Sequence, residues 1–174
     1  MENRHSLQKQ GPYAGEDVIL SSHAPEGYIC PFCLVANGIE NEYVLTRQSD
    51  IIYHNAFITA FICATTWGIN KGNVIIIPNH HYENLYNLPS NYSTKIHDFE
   101  RRVAIAFKDV YKCDGVSSRQ HNEPAGNQDV WHYHLHVFPR YKGDNLYAMK
   151  RVATTVDERA VYAEQLRKYF SQRE

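Results

Sequence analysis

Between Asn127 and Tyr141 the chain alternates: Trp131, Tyr133, Leu135 and Val137 are apolar, and His132, His134 and His136 stand between them. A period of two belongs to a strand with one apolar face, so this segment predicts a strand carrying three imidazoles on its other side. Upstream, "DIIYHN" and "AFITAFICA" are rich in β-branched and aromatic residues and predict two paired strands. "GNVIIIP" predicts a third, buried strand closed by Pro78, and "DGVSSRQHN" another after the Asp114-Gly115 turn. The period changes between Ser90 and Lys112. There Ile96, Phe99, Val103, Phe107 and Val110 recur at spacings of three and four, one face of a helix. Thr155 followed by Glu158 has the form of a capping box, and Tyr162, Leu166, Tyr169 and Phe170 supply the stripe of a closing helix. Mostly adjacent strands with few helices indicate an α+β fold around an antiparallel sheet. Residues 1–26 predict an arm, ordered against a partner chain, and 27–174 a single domain.

Composition narrows the partners. Apolar residues make up 43% and charged residues 21%, and 18 Lys plus Arg nearly balance 19 Asp plus Glu. No broad positive field marks a nucleic-acid or membrane-surface binder, so any phosphate must be held locally. The longest apolar runs are strand-length, far short of the roughly 20 residues that span a bilayer. The N-terminal stretch is polar and lacks the apolar core of a signal peptide, which predicts a cytoplasmic protein with Cys30, Cys33, Cys63 and Cys113 reduced.

Three alternating imidazoles are a poor choice for a merely solvated face, where lysine, threonine or glutamate would serve. Two chemical readings compete: the row binds a metal, or the middle ring is a nucleophile whose neighbours hold the substrate. Protonating one ring disfavours protonating the next, because like charges repel. His134 is therefore expected to be neutral near pH 7, and attack on phosphorus would need donors for the developing oxygen charge. Gln128, Asn122 and His136 are nearest in sequence. The pair Cys30 and Cys33 admits a redox, a zinc or a merely buried reading. Zinc requires two further ligands, for which His80, His81 and His132 are available.

"QDVWHYHLHVFPR" resembles the signature of the histidine-triad (HIT) family of nucleotide hydrolases and transferases. The resemblance runs from about Tyr28 to about Tyr141, because "CPFC", "GNVIIIP" with its following histidines, and the triad recur in family order. It implies a HIT-like antiparallel sheet of about five strands with a long helix and a C-terminal helix. It also implies cleavage at the α-phosphate of a nucleoside phosphoramidate, phosphoester or dinucleoside polyphosphate, in a two-fold homodimer. On this sequence the resemblance makes His134 the nucleophile that becomes transiently nucleotidylated. His136 would contact the phosphate, Gln128 would orient it, and Asn122, or His121 one residue away, would add a donor. Zinc-containing relatives imply a structural Zn2+ on Cys30, Cys33, His81 and His132, with His80 the weaker choice for the third ligand.

Two departures from the family pattern stand out. Asp129 occupies a position where a hydroxyl often assists the leaving group; it can point away, bind a substrate amine or donate a proton. The usual acidic residue for ribose hydroxyls is missing from "ICATTWGIN", which leaves Thr65 or Trp67 as sugar or base contacts. A binding protein that kept the nucleotide pocket and lost turnover is therefore the alternative. A zinc hydrolase with catalytic metal on the triad is a third reading. Arg140 is expected at the surface rather than on a phosphate.

Overall fold

The computed structural model describes residues 22–173. The expected arm, residues 1–26, falls largely outside that range. Its last residues dock on the domain: the Ser22 hydroxyl and the His23 N–H both donate to the Glu83 carboxylate.

Five strands form one antiparallel sheet in the order β1-β2-β4-β6-β5, with β1 at Ile51–His54, β2 at Ile58–Ile62, β4 at Val74–Pro78, β5 at Gly115–Gln120 and β6 at Leu135–Arg140. A separate two-stranded ribbon pairs β3 (Thr65–Trp67) with β7 (Arg151–Ala153). The expected pair of strands around Tyr53 and Phe61 is the β1–β2 hairpin. Asn55 closes it, its side-chain oxygen accepting from the Phe57 and Ile58 N–H groups, a local bond that makes asparagine a turn former.

Helices cover one face of the sheet. The helix α2 (Ser90–Ala106) buries Ile96, Phe99 and Val103 against Ile76, Leu135 and Val137, and α3 (Val156–Ser171) adds Ala163, Leu166 and Phe170. The predicted helix ran to Lys112. In the fold its last turn widens into a π-turn at Phe107–Tyr111 and ends on Lys112 in the left-handed region, φ 55°. The predicted capping box of α3 is present, with Thr155 and Glu158 exchanging side chain-to-backbone bonds.

The other face carries a smaller core. The short helix α1 (Pro31–Ala36) brings Phe32 and Val35 onto Phe61, Cys63, Ile75 and Ile77. Pro31 at its first position and Cys30 as its cap explain why "CPFC" starts a helix. Gly72, in the turn between β3 and β4, is required twice over: φ is +74°, and an added Cβ would lie 2.6 Å from the Tyr162 ring. No helix among the described residues is long and apolar enough to cross a membrane.

A buried ion pair locks α3 to the start of β1. Arg159 donates through Nε to Asp50 at 2.9 Å and through its other nitrogens to the carbonyls of Thr154 and Leu45. The two side chains are 4% and 0% exposed. Burial pushes the Asp50 carboxyl up despite the guanidinium beside it. Removing one partner leaves an uncompensated buried charge. Arg159→Ala is expected to lower stability by about 3 kcal/mol, read as a drop in the urea midpoint; a change under about 1 kcal/mol, the level of a surface pair, would contradict the assignment.

Candidate active site and metal centre

The register of β6 decides which side chains meet. Its Val137, His136 and Leu135 lie opposite Val74, Ile75 and Ile76 of β4, and its His136 lies opposite Arg119 of β5. Leu135 and Val137 therefore face the helices. The imidazoles face the side covered by α1. The ladder starts at Leu135, so His132 and His134 precede it. They are held instead by the Tyr133 N–H donating to the Tyr82 carbonyl at 2.6 Å and by the His132 N–H donating to Val130 at 2.8 Å.

Antiparallel pairing also brings the end of β4 to the start of the triad. His132 Nε2 lies 2.9 Å from the Pro78 carbonyl oxygen. That acceptor fixes the proton on Nε2 and leaves Nδ1 free as a ligand, the usual outer-shell arrangement of a metal-binding imidazole. Nδ1 of His132 lies 3.3 Å from Cys30 Sγ and 3.5 Å from Cys33 Sγ, and Cys33 Sγ lies 3.3 Å from His81 Nδ1. The four donor atoms of Cys30, Cys33, His81 and His132 all fall within 4.8 Å of one another. Tetrahedral bonds of about 2.0 to 2.3 Å place ligand atoms about 3.5 Å apart, so two thiolates and two imidazoles at these separations fit one zinc. Hydrogen bonding from Cys33, and then from His132 and His81, pulls the Cys30 thiol down. His80 is exposed and its ring lies against Tyr82, away from this cluster.

His134 and His136 form the rest of the row, their ring centroids 5.2 Å apart. The His134 Nδ1 is 2.8 Å from the His132 carbonyl oxygen. Its proton is thereby placed on Nδ1, and the lone pair on Nε2. Burial lowers the His134 pKa and holds the His136 pKa well below its ordinary value, the neighbouring ring adding to the effect on His136. The middle ring is enclosed rather than solvated: His134 is 2% exposed. Phe32 of α1 meets its ring edge-on at 5.3 Å, and Trp67 of β3 meets His136 edge-on at 6.0 Å. Sequence reasoning missed both covers, because neither the short ribbon nor the fold-back of α1 has a periodic signal.

Several side chains expected on a phosphate do other work. The Gln128 amide donates to the carbonyls of Glu83 and Val130 and accepts from the Glu123 N–H, so it ties the loop before the triad. Asn122 accepts from the Leu85 N–H and exchanges bonds with Gln120. His121 directs Nδ1 to the Gly126 carbonyl oxygen at 2.5 Å, and its charge is among those that lower the pKa of both His134 and His136. Asp129 is exposed and accepts from Arg151 of β7 at 2.6 Å. Thr65 bonds Cys63 rather than facing an open pocket. Arg140 is neither free at the surface nor on the row: its fork holds Asp144 through two bonds of 2.7 Å. That pairing holds the Asp144 carboxyl well below the usual carboxylate range.

A Cys2His2 cluster followed by a buried and a half-buried imidazole leading into one antiparallel sheet defines a histidine-triad site. Residues 45–143, more than half of the chain, match the HIT domain family model, and the chain belongs to the HIT family. It is 28% identical over 121 residues to the "Protein hit" of Bacillus subtilis, covering 69% of this chain and 77% of that one. It is 26% identical over 121 residues to an adenosine 5'-monophosphoramidase of Saccharomyces cerevisiae, covering 70% and 68%. A Zn-bound histidine triad family protein from Mycobacterium smegmatis shares the fold with a TM-score of 0.67 and 24% identity, over 82% of this chain and 94% of that one. The diadenosine triphosphate hydrolase of Plasmodium falciparum shares it at 0.64 and 12% identity, over 74% and 80%.

Because burial disfavours the charged ring, His134 is expected to stay neutral as pH falls past its ordinary value of about 6.5. Imidazole NMR titration checks this, and a His134 midpoint at or above about 6.5 would contradict it.

Proposed function

We propose that the protein is a nucleotidyl hydrolase or transferase acting through His134 on the α-phosphate of a nucleoside phosphoramidate, phosphoester or dinucleoside polyphosphate. The observation that carries this reading is the fixed tautomer of His134. With Nδ1–H donated to the His132 carbonyl, Nε2 presents a lone pair, and burial keeps it unprotonated. In the first step the Nε2–phosphorus bond forms as the bond from phosphorus to the leaving group breaks, and the leaving group departs with the electron pair and takes up a proton. Water or another acceptor then attacks phosphorus, releasing the nucleotide and restoring the ring. Dividing one displacement into two is the advantage of a covalent route. His136, beside it, is the nearest group to the phosphoryl oxygens.

Phe32 of α1 and Trp67 of the β3–β7 ribbon both pack edge-on against the row, on His134 and His136. The β3–β7 ribbon is the weaker of the two. It has three residue pairs, and all three residues of β7 are exposed, which places it at the low-stability end of the fold.

The same burial favours the second reading, a nucleotide-binding protein without turnover. Product release from adenosine phosphoramidate and diadenosine tetraphosphate separates the two. The hydrolase reading expects turnover that His134→Ala lowers by at least about a thousandfold, the scale of losing a nucleophile. Binding without turnover in the parent supports the pocket-only reading.

Zinc on Cys30, Cys33, His81 and His132 would hold α1, the end of β4 and the start of the triad together, with no role at phosphorus. Two cysteines held as ligands fit a reducing, cytoplasmic setting. About one zinc per chain is expected by metal analysis, and Cys33→Ser is expected to lose it and to lower the thermal midpoint; turnover by the folded parent should survive mild chelation. Protein purified with zinc available that holds none would overturn the assignment.

A further inference from the structure

The arginines around the triad are paired, with one exception. Arg140 holds Asp144 and Arg151 holds Asp129. Arg119, on β5 directly opposite His136, makes neither a hydrogen bond nor an ion pair among the described residues, and its Nε is buried without a partner. Its guanidinium carbon lies 4.8 Å from the centre of the Trp67 ring and 4.6 Å from that of Phe138, two rings that themselves meet edge to face at 5.3 Å. His136 Nδ1, beside it, is also buried without a partner. Taking a cation out of water without a partner is unfavourable, so a half-buried, unpaired guanidinium next to an imidazole whose Nδ1 is buried and unpaired is set to receive an anion. Only its Nε is buried without a partner, and the Nη donors of a guanidinium match phosphate oxygens bidentately.

We infer that Arg119 binds a second negative group of the substrate, on the leaving-group side of the reacting phosphorus. This rests on the nucleotidyl-transfer reading of the site and names its substrate class: a nucleoside polyphosphate, rather than a phosphoramidate that releases an amine. The placement follows from the strand. The guanidinium reaches toward Phe138, beyond His136 and farther from His134, on the side of the row opposite the cysteine cluster. A nucleoside carries no charge, so a second anion there belongs to the departing part. Arg151 and Asp129 offset each other at the rim, which leaves Arg119 as the uncompensated cation at the row.

Calorimetric titration with ADP and with AMP tests this on the parent, Arg119→Gln and Arg119→Lys. The parent is expected to bind ADP at least about tenfold more tightly than AMP, a gap of about 1.4 kcal/mol. Arg119→Gln is expected to reduce that preference to under about twofold, and Arg119→Lys to restore part of it, because a point charge replaces a fork. The ratio of two affinities is insensitive to any fraction of the variant that misfolds. An unchanged preference in Arg119→Gln, or a parent without preference, overturns the assignment of Arg119 and leaves the nucleotide reading standing. A parent that binds neither nucleotide overturns both.

Discussion

The site depends on the placement of β6 between β4 and β5 in a single register. Because side chains alternate strictly along a strand, one choice of register sends Leu135 and Val137 into the helix-covered core and leaves the imidazoles and Arg119 together on the opposite face. A slip of one residue would put three imidazoles into an apolar layer formed by Ile76, Phe99 and Val103. The burial of that layer therefore specifies the chemistry of the other face. The same antiparallel pairing carries the end of β4 back to the beginning of the triad, where the Pro78 carbonyl meets His132.

From that placement the three histidines acquire different jobs. His132 loses its freedom to the backbone on one nitrogen and to the sulfur cluster on the other. His134 is oriented by the carbonyl of His132, so the fixed ring and the reactive ring are coupled through one peptide unit. Burial then does for His134 what a nearby positive charge would also do, keeping the ring neutral. The arrangement links the integrity of the cysteine cluster to the aim of the nucleophile without any bond between cluster and substrate.

The strands and both long helices were legible because their signals are periodic and local: alternation at residues 131–137, spacings of three and four from Ile96 to Val110, and the Thr155–Glu158 cap. The fit of His81 rather than His80 to the sulfur cluster was legible only through the family resemblance, since composition gives no reason to prefer either. What was not legible depends on contacts between segments far apart in sequence. Gln128 and Asn122 looked like free donors, but the Gln128 NH2 donates to the Glu83 carbonyl 45 residues away, and the Asn122 amide accepts from the Leu85 N–H 37 residues away while its NH2 donates to Gln120. Trp67 over His136 and Arg119 opposite it follow from a ribbon and a register that no single segment encodes. The burial of His134 belongs to the same class, being a property of what folds over the strand and not of the strand itself.

The acidic departure at Asp129 gains a physical account from the chain beyond residue 143, outside the matched family region. A lone carboxylate next to a phosphate site would repel the substrate. Here β7 pairs with β3 and delivers Arg151 to within 2.6 Å of Asp129, so the rim carries an ion pair in place of a bare negative charge. The pair is exposed and worth little to stability, which argues that its effect is on the local field. The following helix is anchored by Arg159, which holds both Asp50 and the Thr154 carbonyl at the end of the ribbon, so the ribbon and α3 share one fixed point. The ring that packs on His136 and the charge that neutralises Asp129 thus sit on one short element of two three-residue strands, which ties the environment of the row to the charge balance at its rim.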